Sequence, residues 1–173
     1  TRAFIEGGGV SFHHHEVVGA RLAKKRLQAL RFDNDTIEAV ELLTTLHLRF
    51  HGYGEGEWTD SAVRRYVRDA GEFITHLHVL TRADCTTRNK SKAARLAATY
   101  DSLEARIAVL MEQEELSKIR PDLDGAQVMQ ILNVKPSREV GQAMDFLLEL
   151  RLEQGPIGEE AATKALLDWW AKK

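Results

Sequence analysis

Cysteine, proline and long apolar stretches are all scarce in this 173-residue chain, and each scarcity excludes a class of protein. The single Cys85 rules out an intramolecular disulfide framework and any cysteine-rich zinc site. That fits a reducing compartment, for which the cytoplasm is the expectation. Charges interrupt every apolar run within a few residues, far short of the roughly 18–20 apolar residues of a membrane span, so no membrane partner is expected. Three prolines and few alternating β-branched runs argue against a sheet protein. The chain opens on Thr1 with no basic-then-apolar leader, and it is expected to continue a longer protein.

What is present is a hydrophobic content of 43%, enough for a sizeable core, set among many Ala, Leu, Glu and Arg residues. The fold class read from this is all-α. Only the first residues differ: Ala3-Phe4-Ile5-Glu6, Gly7-Gly8-Gly9 and Val10-Ser11-Phe12 read as a short extended piece around a glycine turn. A first helix is expected over about 14–30, with Val17, Val18, Ala20, Leu22 and Leu27 on its apolar side. Asp35 and Glu38 read as a capping box opening a second helix that runs to Gly52. Thr59 or Asp60 caps a third, in which Val63, Tyr66 and Val67 face inward and Arg64, Arg65 and Arg68 outward. A fourth covers 72–84. Leu96, Tyr100, Leu103, Ile107 and Leu110 then step by four and three along one long helix of roughly 25 residues. Three helices follow, over about 124–132, 137–153 and 158–170.

Net charge is close to zero, with 24 basic and 26 acidic residues, but the distribution is uneven. Residues 61–100 carry eight Lys/Arg against three acids, the one sustained basic segment. A polyanion would bind there by phosphate neutralisation, through Arg64, Arg65, Arg68, Arg82, Arg88, Lys90, Lys92 and Arg95. Lys24, Lys25 and Arg26 form a smaller patch that reads as a solubilising face. Among seven histidines, His13, His14 and His15 are consecutive. His15 lies one turn from the small pair Gly19-Ala20, where a second helix can approach, a setting for a buried ligand. His47 and His51 stand four apart on the second helix, a spacing at which two imidazoles can share one ion. Asp84 is a lone acid at the end of an apolar helix. The Asp33/Asp35 and Asp122/Asp124 pairs fall at helix starts and read as capping groups.

Phe12-His13-His14-His15-Glu16-Val17-Val18-Gly19-Ala20, the Val63–Val67 helix and Arg82-Ala83-Asp84 resemble the second half of an HD-type helical domain, in the wording of bacterial CCA-adding tRNA nucleotidyltransferases and poly(A) polymerases. Arg120-Pro121-Asp122-Leu123-Asp124-Gly125, Val128-Met129, Pro136 and Val140-Gly141 are similar to that family's C-terminal pattern. The resemblance implies residues 1–88 as the C-terminal half of an HD-type domain and 89–173 as a helical region holding the tRNA arm. It implies tRNA as partner, together with an N-terminal nucleotidyltransferase domain of the same protein.

By residue match, His15 and Asp84 would be the later His and distant Asp of an HD metal site, with His47 and His51 as accessories. No His-Asp dipeptide occurs in the chain, and the family places that pair just upstream of a turn like Gly7–Gly9. The site is therefore expected to be incomplete here. The divalent metal, Mg²⁺, belongs to the intact protein, with none held tightly by these residues. No catalytic residue is assigned: the parent protein is read as the enzyme and these residues alone as inactive. Two other readings stand beside this one, an HD-type metal-dependent phosphohydrolase and a structural module for self-association.

Overall fold

A computed structural model describes residues 2–4, 10–12, 14–54, 58–84, 87–114 and 119–173. The architecture is all-α apart from one short strand pair, as composition and periodicity predict. Two compact units are present, one of Thr1–Glu57 and Asp69–Ala105, the other of Trp58–Arg68 and Arg106–Lys173. No helix among the described residues is long and apolar enough to cross a membrane.

The first unit opens with strands β1 (Arg2–Phe4) and β2 (Val10–Phe12), paired antiparallel with Arg2 opposite Phe12. The expected glycine turn lies outside the described residues. Helix α1 (His15–Ala29) packs along α2 (Asn34–Leu46). Their close approach uses Gly19: a Cβ there would meet Thr44 Cγ2 at 3.5 Å, and the neighbouring Ala20 is buried. Val17 and Leu22, expected on the apolar side, are exposed instead. The inward arc of α1 follows Ala20, Ala23 and Leu27, and at 100° per residue those two fall off it. The cap of α2 is Asp33, not Asp35. Asp33 is extended, and its carboxylate accepts from the Thr36 amide at 2.8 Å and from the Thr36 hydroxyl at 2.8 Å.

The second helix also ends earlier than its apolar period suggests. After Leu46 the chain makes turns bonded three residues apart, from Arg49 to Leu46 and from His51 to Leu48, before the short α3 (His51–Gly54). Helix α4 (Asp60–Ala70) starts at Thr59, whose hydroxyl accepts from the Ala62 amide, and contributes its last residues to this unit. A 3₁₀ turn (Gly71–Phe73) leads into α5 (Ile74–Ala83). Helix α6 (Lys90–Glu114) has the expected 25 residues, with Lys90–Ala105 in the first unit. Here Tyr100 stacks on Phe50 with centroids 3.8 Å apart and donates its hydroxyl to the Thr81 carbonyl at 3.0 Å, so one side chain fixes α6 against α5 and the turn after α2.

The second unit contains the rest of α4 and α6 with α7 (Gly125–Leu132), α8 (Arg138–Gln154) and α9 (Glu159–Trp170). Val128 and Leu132, Ala143 and Leu147, and Ala162 and Leu166, each pair four residues apart on its helix, form its core with Leu123. Asp124 and Gln127 close a reciprocal capping box on α7, which bears out Asp124 as a capping group. Asp122 accepts from the Ile157 amide at 3.0 Å.

Candidate nucleic-acid interface

The arginines of α4 do not form the outward triplet that their charge suggests. Arg64 is buried, at 6% exposure. Its Nε and Nη2 each donate to one carboxylate oxygen of Glu114 at 2.8 Å, and its Nη1 donates to the carbonyls of Leu152 and Glu153 at 3.1 and 3.2 Å. Those two carbonyls belong to the last turn of α8, which has no helical donor of its own and carries the negative end of the helix dipole. Arg64 therefore acts as a C-terminal cap delivered from another helix. Hydrogen bonding to Glu114 raises its pKa against the opposing pull of burial. Arg151 adds a second guanidinium to the cluster, donating to the Glu114 carbonyl at 3.0 Å.

Arg65 donates to Ser61 and to the carboxylates of Glu153 at 2.6 Å and Glu149 at 3.0 Å, and Arg68 lies 3.4 Å from Glu149. These two reach solvent, but their charge is met by α8. In the other unit Arg82 bonds Asp101 at 2.7 Å and Glu104 at 3.0 Å, with its guanidinium 5.2 Å from the Tyr100 ring centroid. Four of the eight sequence-predicted cations are thus engaged with carboxylates.

The remaining four form a distinct group. Arg88, Lys90, Lys92 and Arg95 are all exposed, and no ion pair is formed by any of them among the described residues. They surround the first turns of α6, which Asn89 caps by accepting from the Lys92 amide at 3.0 Å. Lys92 and Arg95 are three residues apart on α6 and share a face, and Arg88 stands just before the cap. Cations at a helix N-terminus sum with the positive end of its dipole, a combination that favours phosphate.

The histidines come together only in part. The rings of His15 and His47 stand edge to face with centroids 5.5 Å apart. Each Nδ1 pairs with a backbone carbonyl, Phe12 at 2.8 Å and Thr44 at 2.6 Å. His15 is exposed, not buried, because it opens α1 instead of lying within it. His47 and His51 do not share a helix, since α2 ends at Leu46, before His47, and α3 begins at His51, whose ring packs on Phe50. Asp84 is an exposed residue at the end of α5. Among the described residues no three His, Cys, Asp or Glu side chains gather. Two imidazoles leave most of a divalent ion's coordination unfilled, so the described residues do not by themselves fit a metal centre, and no chemical step is derived through one.

Glu114, Arg151 and Gly155 are the residues that sequence reasoning missed. A glycine three residues past a buried Leu152 is the one local hint. Gly155 has φ +78°, and a Cβ there would lie 2.9 Å from Arg64 Nη2, so this glycine makes room for the buried guanidinium.

Over 98% of its length the chain is similar to the CC-adding tRNA nucleotidyltransferase of Thermus thermophilus, with 32% identity over 175 residues and 36% of that protein covered. It is also similar to the A-adding tRNA nucleotidyltransferase of Deinococcus radiodurans, with 27% identity over 168 residues, covering 96% of the chain and 37% of that protein. The chain thus spans little more than a third of the length of these relatives. No family model and no solved structure matches it.

Proposed function

The chain belongs to the tRNA nucleotidyltransferase family, and we propose that these residues hold and orient tRNA while other parts of the protein transfer the nucleotide. The observation that carries this reading is the group Arg88, Lys90, Lys92 and Arg95, exposed on the start of α6 with no carboxylate partner among the described residues. A tRNA acceptor–TΨC arm is an A-form rod whose phosphates and 2′-hydroxyls ask for scattered cations, not base-specific contacts. Arg65, Arg68 and Arg82 are secondary contacts in this reading, because each must first leave a carboxylate. Arg64 takes no part, since it is committed to Glu114 and to the end of α8.

The HD-type character of residues 1–88, the arm-holding role of 89–173 and the intact protein's addition of C or A to tRNA 3′ ends belong to the same proposal. So does the divalent metal, Mg²⁺, whose ligands this reading assigns to residues outside this chain of 173. The test is filter binding of tRNA lacking its 3′ CCA across a salt series. Substituting Arg88, Lys90, Lys92 and Arg95 together with Gln should weaken binding at low salt. It should also flatten the slope of log affinity against log salt by up to about 0.9 per lost contact, the B-DNA figure, and somewhat less on single strands. Replacing Lys24 and Lys25 should change the slope much less. An unchanged slope in the quadruple variant, with helicity intact by circular dichroism, would remove the basis for this surface.

A further inference from the structure

The core stripe of α9 runs past the core. Ala162 and Leu166 are buried, and the next positions on the same face, Trp169 and Trp170, are only partly covered. Phe146 of α8 stacks beneath Trp169 with centroids 5.2 Å apart and planes 13° apart, which fixes one indole as a rigid shelf. Trp170 lies beside it, 6.1 Å away. Gln142, Asp145, Trp169, Lys172 and Lys173 line an open groove of about 510 Å³, within the span of roughly 300–1,000 Å³ typical of small-ligand sites.

We propose that this groove is a stacking site for an unpaired nucleobase of RNA. The proposal rests on the RNA reading above only for the kind of polymer, and it lies in the other unit from the cations of α6. Each part of a nucleotide has a counterpart here. The base plane has the buttressed Trp169 indole. Its edge has Asp145 as an acceptor and Gln142 as both donor and acceptor. The phosphate has the ammonium groups of Lys172 and Lys173, both exposed.

The Lys173 ammonium lies 5.4 Å from the Trp169 centroid and 5.1 Å from that of Trp170, and it donates to Gln142 Oε1. A cation already draws on the π-faces, so an incoming base exchanges one weak exposed contact for a larger stacked one while the lysine moves to the phosphate. Stacking of this kind tolerates any base, because every base has a π-face.

The test uses the whole chain carrying Trp58→Phe, so that the fluorescence comes from Trp169 and Trp170 alone. The probes are octaadenylate and an abasic octamer with the same phosphates. Octaadenylate should quench the indole emission and bind at least roughly fivefold more tightly than the abasic strand. Trp169→Leu should abolish that preference, and Lys173→Gln should weaken both probes alike. Should Trp169→Leu fail to fold, Trp169→Met, close to the same bulk but without a π-face, takes its place in the same measurement. Equal affinities for the two probes, or a base preference that survives the tryptophan substitution, overturns the proposal. The α6 quadruple variant should keep the base preference while losing tRNA affinity, so failure of one surface is read separately from failure of the other.

Discussion

Arg64 meets Glu114 through two parallel hydrogen bonds of 2.8 Å inside the second unit, while its third nitrogen caps α8. The pair is almost wholly removed from water, with side-chain exposures of 7% and 10%. Taking one partner away leaves the other as an uncompensated buried charge, which costs far more than the pair contributes net. Glu114→Ala strands Arg64, and also takes away the carboxylate 3.9 Å from Arg151, so it should lower stability by about 3–5 kcal/mol, read as a fall in the urea midpoint. Arg64→Met combined with Glu114→Leu should cost less than the two single changes added together. Additive losses would mean that the two side chains are not coupled.

Gly155 and Gly158 offer a controlled comparison. Both have positive φ, +78° and +83°, paired with extended ψ, a region that side-chain-bearing residues avoid at a cost of about 1–3 kcal/mol. A Cβ on Gly158 meets nothing within 4 Å, whereas one on Gly155 lies 2.9 Å from Arg64 Nη2 and 3.4 Å from Glu114 Oε1. Gly155→Ala should therefore be the more damaging of the two. Thermal unfolding of both variants checks this, and equal losses would mean that the Arg64 cluster is absent in solution.

The contrast between α6 and α4 shows what a sequence does and does not disclose. Tyr100, Leu103, Ile107 and Leu110 announce a buried helical seam because burial repeats with a local period, and all four are buried. Thr59, Asp124 and the inward Val63, Tyr66 and Val67 are legible for the same reason: caps and arcs are local. The place of Arg64 is not. It lies between Val63 and Val67 on the rim of the inward arc, which is a faint signal, but its partner Glu114 is fifty residues away and only tertiary structure joins them. The end of α2 is misleading in sequence because its apolar period carries on through Leu48 and Phe50 after the helix has ended at Leu46. In the candidate interface, counting charge locates the basic segment. It cannot separate Arg88, Lys90, Lys92 and Arg95 from the arginines whose carboxylates come from α6 and α8.

His78 on α5 gives the first unit a pH dependence. Burial lowers its pKa from the ordinary value near 6.5, against the Glu104 carboxylate 3.7 Å away, which raises it; Arg82 lowers it further. The fold thus favours neutral His78. The unfolded chain takes up a proton as pH drops through about 6.5, and the folded chain does so only at lower pH, so stability should fall with acid over that window. Urea midpoints between pH 5 and 8 should show the decline, and His78→Leu should flatten it.

The carboxylates that neutralise α4 supply the last prediction. Glu149 and Glu153 stand on the exposed side of α8 beside Arg65 and Arg68, and Glu153 is held below its ordinary pKa chiefly by the Arg65 hydrogen bond. A cation engaged with a carboxylate offers phosphate less attraction and has fewer counterions to release, which is why this arginine-rich segment should contribute little to RNA binding as it stands. Replacing both acids with Gln removes two negative charges without disturbing Arg64, whose partners are Glu114 and backbone carbonyls. The double variant should bind tRNA more tightly at low salt, with a slope of log affinity against log salt steeper by up to roughly one per arginine that gains a phosphate. Both residues are exposed and their ion pairs are partly solvated, so the urea midpoint should barely move. An unchanged slope in filter binding would mean that tRNA does not come within reach of this face of α4, and the secondary role given to Arg65 and Arg68 would be withdrawn.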